Sequence, residues 1–99
     1  MDRSLGLCSG LSIVSDDEID LYFKTISYNV RELRKEKGMS QLEVALSIGQ
    51  KSSGFYANAE NYSHDKHFNL LHLCKLSKLF DVPTSSFFEP IQENTDEPK

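Results

Sequence analysis

The sequence predicts an all-α fold of about five helices, and three observations carry that prediction. Apolar residues recur at steps of three and four through two long stretches. Ser or Asn precedes the helical stretches, and Gly or Pro closes them. No stretch alternates strictly between apolar and polar residues as a half-buried strand does, although SGLSIV at 9–14 is compatible with an extended piece.

The elements follow in order. Ile19, Phe23, Ile26, Val30 and Leu33 lie at helical spacing and define one face of a long first helix. Ser15, with Glu18 three residues on, has the capping-box form, and Asp16 and Asp17 add acid where the helix dipole is positive. RELRKEK at 31–37 supplies the basic end and Gly38 the residue that closes it. Ser40 offers an N-cap for QLEVALSI at 41–48, with Val44, Ala45 and Ile48 facing inward and Gly49 ending the helix. Ser52 and Ser53 are cap candidates for a third helix of about two turns, which carries Phe55, Tyr56 and Ala59 as far as Glu60. YSHDKH at 62–67 is polar and aperiodic, and reads as a loop. Asn69 caps LLHLCKLSKLF at 70–80. Leu70, Leu73, Leu76, Ser77 and Phe80 line one face there, and Leu71, Cys74 and Leu79 widen it beyond what one core needs. Val82 and Pro83 stop this helix, TSSFF at 84–88 makes a last short turn, and PIQENTDEPK at 90–99 is an acidic, Pro-bearing tail.

At 99 residues the chain has the length of one small domain, near the size where stability is thin and dimerisation helps. Cys8 and Cys74 have no CxxC companion, so neither a zinc knuckle nor a disulfide framework is expected. The N-terminal MDRSLGLCSGLSIV has too short and broken an apolar run for a secretion signal, and no stretch reaches the roughly 18 apolar residues of a membrane span. A cytoplasmic protein is expected. The formal net charge of −4 hides an uneven distribution. Residues 1–23 hold one base and five acids, residues 24–78 nine bases and five acids, and residues 79–99 one base and five acids. A basic middle between acidic ends can still attract phosphate, because charge acts locally over a Debye length of about 8 Å.

One constellation stands out. A long helix runs into RELRKEKGMSQLEVALSIG, a short helix ends in AEN at 59–61, and LLHLCKLSKLFDVPTSSFFE closes the segment. This order resembles the lambda-repressor-like, or Xre-type, helix-turn-helix family over about residues 26–89, most specifically in GMSQ at 38–41, the Ala45 and Gly49 pair, Glu60-Asn61 and FDVPTSSFF at 80–88. The resemblance implies a five-helix lambda-repressor-like DNA-binding domain. It divides the chain into an N-terminal extension (1–17), either an arm exchanged between subunits or a disordered stretch, a helix-turn-helix domain (18–89) and the acidic tail (90–99). Ala45 is small where two helices would cross closely, Gly49 permits a sharp turn, and Glu60 can reach a base on the first helix, either Arg31 or Arg34.

The resemblance also implies a DNA-binding set. Gln41 falls at a phosphate-contacting position. Ser52, Ser53 and Gly54 start the third, DNA-reading helix, with Asn58 one turn further along the same face, and Asn61 falls where the chain leaves the helix beside the DNA backbone. Asn58 has the chemistry to bond an adenine edge in two places, a contact worth ~1–3 kcal/mol of discrimination. Lys51 and Lys66 flank this surface and can neutralise phosphates, or are merely solvated; one of Ser52 and Ser53 can instead be an N-cap. Tyr56 stands where an aliphatic core residue is usual, so its ring is expected inside. Gly54, Ala57 and Ala59 depart from the family's larger side chains, which leaves few strong base contacts and makes a homodimer on a palindromic double-stranded operator attractive. Leu71, Leu79, Phe87 and Phe88 are the candidate dimer contacts, with Phe88 in particular also a candidate core plug.

The expected function is a sequence-specific DNA-binding transcriptional regulator, a homodimeric repressor of a nearby promoter. The alternative is a protein-interaction module that keeps the fold with weak or no DNA binding, such as an antitoxin or anti-repressor partner. No enzyme activity, cofactor, metal or small-molecule ligand is expected. His64, Asp65, His67, His72 and Cys74 do not have an established zinc-ligand spacing.

Overall fold

A computed structural model describes residues 13–91. Among them are four α-helices, α1 (Asp16–Glu36), α2 (Gln41–Ser47), α3 (Gly54–Asn61) and α4 (Leu70–Phe80), then a 3₁₀ turn over Thr84–Phe88. The fifth helix expected from the sequence is this single 3₁₀ turn. Residues 9–12 of the candidate extended piece, most of the N-terminal extension and residues 92–99 of the tail lie outside the described residues.

Helix starts follow their local sequence. Three carry reciprocal capping boxes: Ser15 with Glu18, Ser40 with Glu43, and Asn69 with His72 in the third position, whose Nδ1 accepts from the Asn69 N–H at 3.1 Å. Helix ends follow glycine only in part. After α1, Gly38 sits at φ +71° and the Met39 N–H donates back to the Arg34 carbonyl at 3.1 Å; after α2, Gly49 sits at φ +93° and the Gln50 N–H donates to the Ala45 carbonyl at 2.9 Å. The same left-handed closure ends α3 at Tyr62 (φ 51°) and α4 at Asp81 (φ 58°), where no glycine signals it. A hydrogen bond from the Tyr62 hydroxyl to Asp20 Oδ1 of α1 (2.6 Å) helps hold the first of these, and one from Ser77 Oγ to the Val82 carbonyl (2.6 Å) the second.

The core is assembled from one stripe of each element: Ile26 and Val30 of α1, Val44 and Ala45 of α2 with Ile48 at its end, Tyr56 and Ala59 of α3, Phe68, then Leu73, Leu76 and Phe80 of α4, and Phe87. Ala45 is fully buried, as its small size at a helix crossing predicts, and Tyr56 is enclosed as expected. Two core expectations are corrected. Leu70 is 72% exposed; Phe68, just before the Asn69 cap, is buried instead, and together with Leu73 it occupies the two positions of a hydrophobic staple. Ile19 is 42% exposed: it lies in the first turns of α1, before the buried stretch that begins at Ile26.

The last turn brings a further correction. Phe87 is fully buried in the chain's own core, whereas Phe88 is 47% exposed, so Phe87 is the plug and offers no surface to a second copy. Asn29 Nδ2 of α1 pins the turn by donating to the carbonyls of Phe87 (2.9 Å) and Glu89 (2.8 Å).

Candidate nucleic-acid interface

The interface candidate is organised by one buried carboxylate. The Glu60 side chain, fully enclosed in the last turn of α3, accepts from Arg34 Nε (2.8 Å) and Nη2 (3.1 Å), from Gln41 Nε2 (2.7 Å) and from the Tyr56 hydroxyl (2.7 Å). Arg34 Nη1 also donates to the Met39 carbonyl at 2.8 Å, so one guanidinium ties α1 to its closing turn and to α3. Of the two bases proposed from the sequence, Arg34 is the partner. Burial pushes the Glu60 carboxyl up, but the hydrogen bonds from Arg34, Gln41 and Tyr56 outweigh it and hold the carboxyl below its ordinary range. The bond to Glu60 in turn raises the Arg34 pKa, and burial, followed by that same carboxylate, pushes the Tyr56 phenol well up.

This network fixes Gln41. It is the first residue of α2, where free backbone N–H groups and the positive dipole end favour phosphate, and its amide is anchored from behind by Glu60. A primary amide carries a second N–H and a carbonyl oxygen, so anchoring one donor leaves Gln41 the chemistry for a phosphate contact.

The remaining candidates lie along α3 and its flanks. Gly54, Asn58 and Asn61 follow at i, i+4 and i+7 and therefore share one face; Gly54 and Asn61 are exposed, and Asn58 is half-buried. Asn58 Oδ1 accepts from Ser63 Oγ at 3.2 Å, which occupies one lone pair of the oxygen that a bidentate adenine contact also uses. Ser53 precedes α3 in helical backbone geometry and makes no side-chain cap bond; the Gly54 N–H reaches Ser52 Oγ only at a long 3.4 Å. The start of α3 is therefore weakly capped. Lys51 is exposed ahead of α3 and Lys66 is exposed in the loop after it, which turns through left-handed His64 and Asp65.

The dimer candidates do not share one surface. Leu71 is 60% exposed on the outer side of α4, Leu79 packs against the core and lines a hollow with Ile48 and Lys75, and Phe88 lines a different hollow with Leu21 and Tyr22. The histidines of the YSHDKH loop and α4 have packing partners: His67 stacks on Phe23 at 3.9 Å, and the His72 ring, besides capping α4, lies 4.9 Å from Phe55. The parts that Gln41 and Tyr56 play in the Glu60 network were not expected from the sequence. No local pattern signals a hydrogen bond between residues 19 apart.

Two short helices joined through a glycine closure, braced on a long first helix by a buried ion pair, define a helix-turn-helix domain, an architecture that places its second short helix in the DNA major groove. The Helix-turn-helix family model matches residues 30–87, more than half of the chain, and the protein belongs to that family, in its Xre or lambda-repressor-like type. It is a family of DNA-binding regulators. Comparison with curated proteins and with solved structures returned no match. No helix among the described residues is long and apolar enough to cross a membrane.

Proposed function

We propose that the protein is a cytoplasmic, sequence-specific transcriptional regulator that acts as a homodimeric repressor of a nearby promoter, through a domain at 18–89. The observation that supports this reading most is the Glu60 network, which joins the start of α2 to the end of α3 and holds Gln41 in fixed relation to the Gly54, Asn58 and Asn61 face. In this reading Gln41, Lys51, Lys66 and Asn61 hold the DNA backbone, while Ser52, Ser53, Gly54 and Asn58 approach base edges and read the groove partly by its shape. A second copy on a palindromic operator doubles a sparse contact set. Leu71, Leu79 and Phe88 remain candidates for holding the two copies together.

The test is binding of the purified chain to labelled duplexes from its own upstream region at low salt, with scrambled duplexes as competitors. A specific complex of two chains per site is expected; no specific complex at low salt overturns the reading. A second reading, a protein-interaction module, is favoured by the exposed Leu42, Leu46, Leu70 and Leu71, which give α2 and α4 apolar outer surfaces. It predicts partner binding that survives raised salt, without DNA retention.

A further inference from the structure

We infer that Arg31 is a seat for a DNA backbone phosphate, in a hollow between α1 and the C-terminal end of α3; the inference rests on the DNA-binding reading above. The hollow, of ≈ 290 Å³, is lined by Lys24, Ser27, Tyr28 and Arg31 from α1 and by Glu60 and Asn61 from α3, among others. Most polar groups around it are already engaged. Glu60 is held by Arg34, Ser27 Oγ donates to the Ala59 carbonyl at 2.7 Å, and Lys24 Nζ lies 3.0 Å from Asp20 Oδ2.

Arg31 differs. Its guanidinium carbon lies 5.8 Å from the centre of the Tyr28 ring, which supports it from one side. Its Nε–H is covered and has no hydrogen-bond partner among the described residues; the Glu32 carboxylate stands 3.8 Å away, an ion-pair distance too long for a hydrogen bond. A covered donor on a charged group is unfavourable without an acceptor, so a small turn of the guanidinium that brings its Nε and Nη edge to an oxyanion is favoured. Two oxygens of a phosphodiester match that edge, whereas an ammonium offers only a point charge. Asn61, exposed beside the hollow, belongs to the α3 face that carries Gly54 and Asn58. A duplex laid against that face brings one strand's backbone past Asn61 and over Arg31.

The experiment is fluorescence anisotropy of the full chain on a labelled duplex from its own upstream region, over roughly 50–200 mM salt. The wild type is compared with Arg31→Gln, Arg31→Lys and, as a control on α4, Lys78→Gln. Circular dichroism checks folding. Arg31→Gln is expected to weaken binding to specific and scrambled duplexes alike and to lower the slope of log Kd against log salt by about one per bound chain. Arg31→Lys is expected to keep the slope while binding several-fold more weakly, and Lys78→Gln to match wild type. A wild-type slope in folded Arg31→Gln overturns the inference and leaves the DNA-binding reading intact. Should the Gln variant not fold, Arg31→Lys decides: wild-type affinity overturns the seat, and weaker binding at an unchanged slope supports it. A wild type that binds no duplex overturns the DNA-binding reading itself, a different result from either.

Discussion

Replacing Glu60 by Gln keeps the side chain's shape and removes its charge, which makes it the sharpest probe of the network. Glu60 accepts four hydrogen bonds, two from Arg34 and one each from Gln41 and Tyr56. A Gln side chain has one oxygen with two lone pairs, and its NH₂ faces donors, so at least two of these bonds are lost. Arg34, only 13% exposed at its side chain, is then left as a nearly buried charge without a counter-ion. Removing one partner of a buried pair costs ~3–5 kcal/mol. A domain of this size has a total stability of about 5–15 kcal/mol and loses ~4–8 °C of Tm per kcal/mol. Glu60→Gln is therefore expected to melt at least ~12 °C lower, with the urea midpoint shifted and the m value kept. Urea titrations followed by circular dichroism measure this. A double Arg34→Met, Glu60→Met variant, which leaves no charge alone, recovers part of the loss. A loss below ~1 kcal/mol in Glu60→Gln would mean that the carboxylate charge does not hold the network together.

Asn58→Ala is expected to lose ~1–3 kcal/mol of discrimination between operator and scrambled duplex, while Gln41→Ala weakens both alike; competition binding separates the two, and equal behaviour refutes the assigned roles. Burial, the Lys75 charge and His67 hold the His72 pKa below 6.5, so its contribution to stability is full above that value and is lost as pH falls toward the folded-state pKa. Urea midpoints at two pH values on either side of 6.5 are expected to converge in His72→Gln, which can still close the capping box and does not titrate. Phe87→Ala is expected to cost ~3–5 kcal/mol by opening a core cavity, and Phe88→Ala well under half of that; similar losses in urea titrations contradict the assignment of Phe87 as the plug.

Features governed by short-range chemistry were readable along the chain. Ser15 with Glu18, Ser40, Asn69, Gly38 and Gly49 marked helix ends because caps and left-handed closures are local bonds within a few residues. Ala45 was legible as core from its spacing in α2, and Tyr56 from the family resemblance, which implies a core side chain at its position. The exchange of Phe87 for Phe88 was not: a short 3₁₀ turn has too few residues to show a periodicity, and Asn29, which holds the turn, lies 58 residues from Phe87 in the chain. Phe68 lies just before the Asn69 cap, outside the helical periodicity that pointed to Leu70, so that periodicity carried no signal of its burial. Tyr62 takes left-handed geometry beside a bond to Asp20, 42 residues away, which no local pattern signals, and Asp81 closes α4 without the glycine that marks the ends of α1 and α2. At the candidate interface the helix order and the α3 register were legible. The anchoring of Gln41 and the competition of Ser63 for Asn58 depend on how separate segments meet.

If the protein reads DNA as proposed, the α3 face, with Gln41 beside it, is the surface that meets the duplex. Nuclear magnetic resonance titration of the labelled chain with a duplex from its own upstream region tests it residue by residue. The largest amide shifts are expected at Gln41, Lys51 to Gly54, Asn58 and Asn61, with α4 beyond its first turn little changed. Shifts concentrated at Leu70, Leu71 and Cys74, or none at any residue at low salt, would contradict it.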